Sequence, residues 1–369
     1  EKLEKEGVTF VSETDTEVIP ALLNYNYNKE KDILKTIKVT LEELEGSYAI
    51  GIICDDDLDN LYAARCGSPL IIAKDKTGNF IASDVPAILS YTNRYVLLEE
   101  GELAKISVDS VLVYNNHLEE ITKEEMIFEG SQDSAMLNGY EHYMLKEIHE
   151  EGKVFTETVN YYVDGGKFKN TMPDFKKYKN IHIVACGSAY YVGCIGKSLI
   201  EEFANIPVTV EVASEYRYKM NFYDKDTLVI IISQSGETAD SLAALRKAKE
   251  DGIDTLAIVN VVGSSISREA DYTMYVKAGP EIAVATTKAF LAQATLLSLL
   301  AVKLSNKLDL LSVFNGVEKY IKEILDKDYK KYANEIYTHN DTFFIGRLVD
   351  YALCLEGSLK LKETSYINS

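Results

Sequence analysis

The chain of 369 residues carries a formal net charge of −19, and 46% of its residues are hydrophobic. This composition is typical of a soluble globular protein with about two to three domains. So acidic a protein argues against nucleic acid or an anionic membrane as its partner, because both bind basic surfaces. The longest apolar stretch, residues 289–302, is interrupted by polar side chains and is too short to cross a bilayer.

The cysteines and histidines predict neither disulfides nor a bound metal. The five cysteines are odd in number and show no CxxC spacing, which favours free thiols in the cytoplasm. The five histidines are scattered, without the spacing of metal ligands, and we expect no cofactor. The chain begins with Glu1 rather than Met, shows no signal peptide and stops at Ser369 just after a predicted helix. We therefore expect a fragment that lacks both ends.

Residues up to about 113 have the pattern of an α+β unit with antiparallel strands. One helix is predicted at residues 17–28. Strands are predicted at residues 47–54, 61–64, 69–73, 79–82, 95–98 and 103–108. Residues 114–179 are richer in charge and contain Asp164-Gly165-Gly166, which indicates a connecting segment with a helix near residues 142–157.

From residue 181 onward, strands and helices alternate. Strands are predicted at residues 181–185, 207–211, 227–232, 255–260 and 272–276, and helices at residues 191–204, after 238 and at 290–304. This alternation predicts a doubly wound parallel sheet with helices on both faces. The pattern restarts with a strand at residues 342–345 and a helix at 350–367, which predicts the start of a second copy of the fold.

The turn Ser233–Thr238, with the sequence SQSGET, follows a predicted strand and opens a helix. Hydroxyls, free backbone N–H groups and the positive end of the helix dipole can together hold a phosphate without a lysine. An ordinary N-cap is the alternative, but a cap needs one hydroxyl and this turn supplies three. We therefore predict that the chain binds a phosphorylated small molecule.

The tripeptide Cys186-Gly187-Ser188 also follows a predicted strand. Alone, it is no more than a strand-to-helix turn with a small buried cysteine. Ligands of parallel sheets lie at the carboxyl ends of the strands, and Ser233–Thr238 lies at an equivalent end. We therefore expect the two turns to converge on one ligand.

Glu356, Lys360 and Glu363 stand at positions i, i+4 and i+7 of one predicted helix and share a face. By spacing alone, a solvated row of ion pairs is the favoured interpretation. The functional alternative is an acid–base set, in which a carboxylate moves a proton between adjacent carbons of a sugar and a lysine acts on a hydroxyl. The spacing is compatible with both.

Three further features have simple structural interpretations. Asp15 lies in the turn Ser12–Glu17, where acidic residues favour a helix start, although an aspartate there can also hold a ligand ammonium. Lys288 opens a helix at a position unfavourable for a cation, which indicates a contact. The segment Met144–Ile148 is typical of an amphipathic helix.

Taken together, nine segments resemble the family of isomerizing glutamine–fructose-6-phosphate aminotransferases, or glucosamine-6-phosphate synthases, in the family's order and over nearly the whole chain. These segments are FVSETDTEVI (10–19), LEGSYAIGII (44–53), AARCGSPLII (63–72), NFIASD (79–84), HYMLKEI (142–148), ACGSAY (185–190), SQSGETADSLAALR (233–246), AGPEIAVATTKAF (278–290) and LEGSLKLKETSYI (355–367).

The resemblance implies a division of labour between two halves. An N-terminal-nucleophile glutaminase frees ammonia from glutamine, and a synthase half uses it to convert fructose 6-phosphate into glucosamine 6-phosphate, a step toward UDP-N-acetylglucosamine. It also implies a homodimer, because the family active site is built across one. The implied domains are the C-terminal part of a type 2 glutamine amidotransferase domain (1–113), a linker (114–171), a first sugar-isomerase (SIS) domain (172–315) and the truncated start of a second (333–369).

The resemblance also implies roles for individual residues. Asp15 would hold the glutamine ammonium, as part of an incomplete glutamine site. Glu363 would shuttle the proton between C1 and C2, Lys360 would act on the C1 hydroxyl, and Glu356 would support Lys360. The phosphate would be bound by Ser233, Gln234, Ser235 and Thr238, and the sugar would be lined by Cys186, Gly187, Ser188 and the backbone near Val284.

Several departures from the family pattern bear on activity. The family's amino-terminal catalytic cysteine has no counterpart, since the first cysteine is Cys54 inside a predicted strand, and the family's arginine-and-tryptophan loop is absent from a chain without tryptophan. Ala189, Asn368, Leu348 and Glu151-Gly152 replace residues that are often Ser, His, Gly and Gln-Pro. The sugar-opening histidine and the terminal lysine would lie beyond Ser369. We therefore expect the chain alone neither to hydrolyse glutamine nor to make glucosamine 6-phosphate.

Two other functions stay open at this point. A non-catalytic sugar-phosphate-binding protein would need the turn Ser233–Thr238 but neither Lys360 nor Glu363. A glutamine-independent sugar-phosphate isomerase or deglycase would need Glu363. Neither explains a glutaminase-like first part.

Overall fold

The computed structural model describes residues 2–128 and 136–369, and these fall into two compact units, one within Glu1–Gln132 and one within Asp133–Ser369. Each unit has its own hydrophobic core. Residues 129–135 of the predicted connecting segment lie outside the described residues. The predicted domain boundaries stay a prediction.

The first unit is built from two antiparallel sheets and their flanking helices. Its helices are α1 (Lys2–Lys5), α2 (Val18–Glu30) and α3 (Ile33–Glu43), with 3-10 turns at Asp15–Glu17 and Pro86–Ile88. Its strands are β1 (Tyr48–Cys54), β2 (Asp57–Cys66), β3 (Ile71–Lys74), β4 (Asn79–Ala82), β5 (Arg94–Leu97), β6 (Leu103–Ile106), β7 (Val111–Tyr114), β8 (Glu120–Ile121) and β9 (Met126–Ile127). One sheet has the order β1-β2-β6-β7-β8 and the other β4-β3-β5-β9. The predicted α+β class of this unit is confirmed.

The five-stranded sheet of the first unit has a core on each face. Tyr62 and Ala63 of β2 point to opposite faces because side chains alternate along a strand. Tyr62 packs with Ile37 of α3, whereas Ala63 packs with Ile72 of the other sheet. The unit therefore consists of a helical layer, the five-stranded sheet and the four-stranded sheet.

The sequence prediction missed α3, because it foresaw one helix in this part of the chain. Four of the five residues from 36 to 40 are β-branched, which lowers their preference for a helix. Packing outweighs that preference, since Ile37 is only 1% exposed. The available signal was Asp32, whose carboxylate accepts a hydrogen bond from the Lys35 N–H at 3.0 Å and caps the helix.

The second unit is a parallel sheet with helices on both faces. It begins with α4 (Tyr143–Tyr162) and a hairpin of β10 (Val163–Asp164) and β11 (Lys167–Phe168). The sheet contains β12 (Asn180–Ala185), β13 (Val208–Val212), β14 (Thr227–Ser233), β15 (Asp254–Val259) and β16 (Tyr272–Tyr275). The helices that follow are α5 (Gly187–Ala204), α6 (Ala213–Tyr216), α7 (Ala239–Glu250), α8 (Ser265–Glu269), α9 (Lys288–Ser305), a 3-10 helix (Leu308–Phe314), α10 (Val317–Leu325), α11 (Lys330–Ile336) and α12 (Val349–Ser365).

The strand order of this sheet, β13-β12-β14-β15-β16, positions the candidate site. All pairs are parallel, and the chain runs outward from β12 to β13 before it returns to β14. Ile183 and Ile230 pack on the face covered by α5 and α9, and Val184 and Val229 on the face covered by α6 and α7. The predicted doubly wound sheet is confirmed. Its strand order reverses between β12 and β14, where ligands of such folds bind.

Helix α9 is the one helix among the described residues that is long and apolar enough to cross a membrane, with a mean hydropathy of 1.3. It packs against α4 and α5, and 61% of it is buried inside the unit. Its side chains Leu296, Leu299 and Leu300 are fully buried. The apolar character of α9 is thus explained by its place in the core.

Near the end of the chain, the sequence predicted a strand followed by a helix. The prediction of the helix is confirmed, and the prediction of the strand is wrong. The helix forms as α12 and packs against α5. The strand predicted at residues 342–345 does not form, and the side chains of Phe343 and Ile345 are 90% and 89% exposed. An isolated bridge joins Asp341 to Asn368. No strand among the described residues lies alongside this segment, and a strand without a partner is unstable.

Candidate functional site

A cavity of about 260 Å³ opens where the strand order of the parallel sheet reverses. Ala185 and Ile232 are paired near the carboxyl ends of β12 and β14, and the turns that follow these strands form two walls of the cavity. The loop before α9 and the helix α12 form the other walls. Of the predicted site residues, the cavity is lined by Cys186, Ser188, Ser233, Gln234, Ser235, Thr238, Val284, Lys360 and Glu363.

The turn after β14 holds its own shape through its hydroxyls. Ser233 Oγ accepts a hydrogen bond from the Gly236 N–H at 3.0 Å and lies 3.0 Å from Thr238 Oγ1. Ser235 Oγ accepts one from the Glu237 N–H at 3.2 Å. Thr238 occupies the N-cap position of α7, yet its side chain makes no cap hydrogen bond. The simple capping interpretation therefore does not explain Thr238. The first N–H groups of α7 lie at the end of the helix that borders the cavity.

Ser241, in the first turn of α7, is a cavity residue that the sequence analysis missed. Its side chain is only 1% exposed, and among the described residues its Oγ has no hydrogen-bond partner. Buried hydroxyls are normally satisfied, so this one is available to a molecule in the cavity. Its position three residues after Thr238 was the signal in the sequence, because both residues lie near one helix end.

Gly236 fixes the geometry of this turn. Its φ is +68°, and a Cβ there would lie 2.0 Å from Ser264 Oγ. We expect Gly236→Ala to destabilise the unit by about 3 kcal/mol, from the left-handed backbone and the overlap together. Gly252→Ala is the matched control, because Gly252 has a φ of +73° with nothing within 4 Å of the added Cβ. Urea unfolding of both variants tests this, and equal losses would contradict the proposed overlap.

The turn after β12 contributes the start of α5. Cys186 stands at the N-cap of α5 without a side-chain cap bond, and Ser188 is 8% exposed. Gly187 does not itself line the cavity but has a φ of +56°, which suits glycine and bends the backbone between its two neighbours. The two turns therefore converge on one cavity, as the sequence analysis expected.

Helix α12 carries the three charged residues predicted from the sequence, and they are not equally solvated, because Glu356 is buried whereas the side chain of Glu363 is 41% exposed. Lys360 Nζ lies 2.5 Å from Glu363 Oε2 and 3.5 Å from Glu356 Oε1. Glu356 is 7% exposed, and burial raises the pKa of its carboxyl, while the charge of Lys360 opposes that rise. Lys360 and Glu363 line the cavity and Glu356 lies behind Lys360, which is an arrangement able to move protons.

The loop before α9 supplies a wall that the sequence analysis found only at Val284. Glu281, Ala283 and Thr286 also line the cavity. The Glu281 carboxylate accepts hydrogen bonds from Thr286 Oγ1 at 2.6 Å and from the Thr287 N–H at 2.9 Å. Glu281 thereby caps α9, although it lies seven residues before the first residue of that helix. Helix-capping patterns in a sequence do not extend so far.

Asp15 belongs to the first unit and is exposed at the start of a 3-10 turn. The turn is held by Glu17 instead, whose carboxylate accepts hydrogen bonds from the Val11 N–H at 2.8 Å and the Ser12 N–H at 2.7 Å. The role of Asp15 toward glutamine stays a prediction.

The predicted contact of Lys288 is present. Its side chain is 2% exposed, and its Nζ lies 2.6 Å from Glu150 Oε2 of α4. Lys146 Nζ lies 3.5 Å from the other oxygen of Glu150. Helix α4, expected to be simply amphipathic, thus carries a charged cluster against the start of α9.

Glu151 makes the stability of the second unit depend on pH. Burial, with the charge of Glu281, raises the pKa of the Glu151 carboxyl from 4.5 to about 7. The folded state therefore holds this proton more tightly than the unfolded chain, and the resulting stability is present below about pH 4.5 and lost as the pH rises through 7. We expect Glu151→Gln to melt about 7 °C above the wild type at pH 8, and to melt at nearly the same temperature as the wild type at pH 4.

Thermal unfolding at the two pH values checks this expectation. Glu157→Gln is the control, because Glu157 lies on the same helix and is exposed. A gain of the same size for Glu151→Gln at both pH values would show that Glu151 does not titrate as described.

The model of the glutamine amidotransferase domain family matches residues 1–90, and that of the SIS domain family matches residues 174–303. The glutamine–fructose-6-phosphate aminotransferases (isomerizing) of Clostridium tetani and Caldanaerobacter subterraneus are each 45% identical to the chain. These alignments cover 100% and 99% of this chain but 63% and 62% of the relatives, so the chain spans less than two thirds of their length.

A solved structure agrees with these relatives. The C-terminal domain of the glucosamine-fructose-6-phosphate aminotransferase from Francisella tularensis is 37% identical, with a TM-score of 0.56, over 63% of this chain and 70% of that one. The two domain matches follow the two units described above, in the same order. The chain belongs to the family of isomerizing glutamine–fructose-6-phosphate aminotransferases.

Proposed function

We propose that this chain is part of an enzyme that converts fructose 6-phosphate and glutamine into glucosamine 6-phosphate and glutamate, and that its second unit binds the sugar phosphate. One observation carries the proposal: a single cavity unites the hydroxyl-rich turn after β14 with the Lys360–Glu363 pair of α12. Phosphate binding and proton transfer are the two tasks that a sugar-phosphate isomerisation requires.

The phosphate is proposed to bind at the turn after β14. Hydroxyls of Ser233, Ser235 and Thr238, the amide of Gln234 and the first N–H groups of α7 are all donors, and the positive end of the helix dipole favours an anion. Ser241 Oγ, buried without a partner among the described residues, is a further donor. These donors explain how a chain with a net charge of −19 can bind a dianion.

The proton transfer is proposed to occur at α12. Once ammonia has added at C2 of the sugar and water has left, the Glu363 carboxylate takes a proton from C1 and returns it to C2. Lys360 is proposed to hydrogen-bond to the C1 oxygen, and the C1 hydroxyl releases its proton to water as that carbon becomes the aldehyde. Glu356, 3.5 Å from Lys360, holds the lysine in place, and Cys186, Ser188 and the backbone near Val284 contact the sugar.

The first unit is proposed to supply ammonia from glutamine, with Asp15 holding the glutamine ammonium. This rests on the amidotransferase match over residues 1–90. The first cysteine of the chain, Cys54, lies in β1 and cannot serve as an amino-terminal nucleophile. Sequencing the gene on both sides of this segment tests the proposal for the whole enzyme. An upstream Met-Cys start with a downstream histidine and terminal lysine would support it, and start and stop codons close to Glu1 and Ser369 would leave a sugar-phosphate-binding protein only.

We also propose a cytoplasmic homodimer that acts in the formation of amino sugars for UDP-N-acetylglucosamine. The free cysteines of the described residues are compatible with a reducing compartment, and family membership supports the homodimer. Light scattering on the product of the complete gene tests the homodimer, and a monomeric mass would contradict it.

A further inference from the structure

The wall of the cavity formed by residues 276–287 has no regular secondary structure. It nevertheless presents Glu281, Ala283 and Val284 to the cavity. Apart from the Val276 N–H, which donates to the Val259 carbonyl of β15 at 3.0 Å, backbone N–H groups in such a segment need acceptors outside helices and sheets. The shape of this wall therefore depends on where those acceptors lie.

Two carboxylates are among these acceptors, beside Asn260 Oδ1, which accepts from the Ala278 N–H at 3.1 Å. Glu281, inside the loop, accepts from the Thr287 N–H at 2.9 Å and the Ala289 N–H at 3.1 Å. Glu147, on α4, reaches the middle of the loop, and its Oε1 accepts from the Ile282 N–H at 2.5 Å and the Ala283 N–H at 3.2 Å. The Ile282 and Ala283 N–H groups thus meet a side chain that lies more than a hundred residues earlier in the chain.

The attachment of the loop to α4 is buried and has a second point. Glu147 is 2% exposed, and its Oε2 has no hydrogen-bond partner among the described residues. Burying a carboxylate is unfavourable for folding, and the two backbone N–H groups offset only part of this cost. We therefore regard these two hydrogen bonds as important for the position of the loop. The Lys288–Glu150 ion pair at 2.6 Å lies just after the end of the loop, one turn along α4, so the second half of the loop is held to this helix at two points.

We propose that Glu147 is a positioning residue for the sugar, which acts by holding the backbone of Ile282 and Ala283 so that the wall around Val284 fits the sugar part of a hexose phosphate. This inference rests on the proposed function. Glu147 does not line the cavity. It contacts the backbone of the loop that forms the cavity wall, and it is not proposed to contact the ligand itself. The phosphate is proposed to bind on the other side of the cavity, at the turn Ser233–Thr238.

The test distinguishes an effect on sugar binding from an effect on phosphate binding. Calorimetric titration of the 369-residue chain with fructose 6-phosphate and with inorganic phosphate gives both affinities. We expect Glu147→Ala to weaken fructose 6-phosphate about tenfold, because two hydrogen bonds to a charged acceptor are lost, and to leave inorganic phosphate unchanged. Glu147→Gln retains an oxygen acceptor for both N–H groups and should restore fructose 6-phosphate binding to within about threefold of the wild type.

Controls keep a loss of folding from being mistaken for a loss of positioning. Glu157→Ala removes an exposed carboxylate from the same helix and should change neither affinity, and melting temperatures are recorded for every variant. A wild type that binds neither ligand would refute the proposed function itself. If the wild type binds but Glu147→Ala binds fructose 6-phosphate equally well, or weakens both ligands alike, or is not rescued by Glu147→Gln, the positioning role is refuted.

Discussion

Replacing Glu363 by Gln is expected to lower the rate of glucosamine 6-phosphate formation by about a thousandfold, the typical contribution of a general acid–base group. Glutamine keeps the size and one oxygen of the side chain but cannot take the proton from C1. The cavity and the phosphate turn stay intact, so the affinity for fructose 6-phosphate should change by no more than about twofold. Turnover is measured in the product of the complete gene, and affinity by calorimetry.

The matched control lies on the same helix. Asp350→Asn makes the same chemical change at an exposed position in the first turn of α12 and should retain turnover. This pair also separates an enzyme from a sugar-phosphate sensor. If turnover survives Glu363→Gln, the proton-transfer role is refuted, and if no turnover exists while affinity is retained in both variants, the protein is a sensor.

Replacing Ser235 by Asp is expected to weaken the binding of fructose 6-phosphate by about a hundredfold or more. The new carboxylate would stand where a phosphate dianion is proposed to bind, and like charges at such short range repel by several kcal/mol near a protein surface. Because the positive end of the α7 dipole favours an anion, the substitution should not lower the melting temperature.

Ser235→Asn isolates the effect of charge. Asparagine has nearly the shape of aspartate without its charge, and should weaken binding by about tenfold or less through the altered hydrogen bonds. Calorimetric titration of the two variants with fructose 6-phosphate measures the difference. Equal affinities for Ser235→Asp and Ser235→Asn would show that no anion binds at this turn.

The parts of the site that were predictable from the sequence are local in the chain. The turn Ser233–Thr238 follows its strand and opens its helix within a dozen residues, so its place at a strand end could be inferred from the pattern alone. The alternation of strands and helices then located Cys186-Gly187-Ser188 at the neighbouring strand end. Both inferences rest on a topological rule for parallel sheets, and the structure confirms that the two turns share a cavity.

The parts that could not be predicted depend on tertiary contacts. Spacing alone favoured a solvated row for Glu356, Lys360 and Glu363, and only the burial of Glu356, 7% exposed, decides against it. The hydrogen bonds that the Ile282 and Ala283 N–H groups donate to Glu147 join residues far apart in the chain. In α3, packing against the sheet overrides the weak helix preference of its β-branched residues. At residues 342–345, a strand-like sequence has no strand to pair with in the part of the chain that the structure describes.

The most direct test of a sugar-phosphate site in the second unit is a calorimetric titration of the 369-residue chain with fructose 6-phosphate, and with fructose as the comparison. We expect one fructose 6-phosphate per chain and no measurable binding of fructose, because the phosphate donors of the turn Ser233–Thr238 supply the main attraction. Absence of fructose 6-phosphate binding, or equal binding of fructose, would contradict the assignment of this cavity.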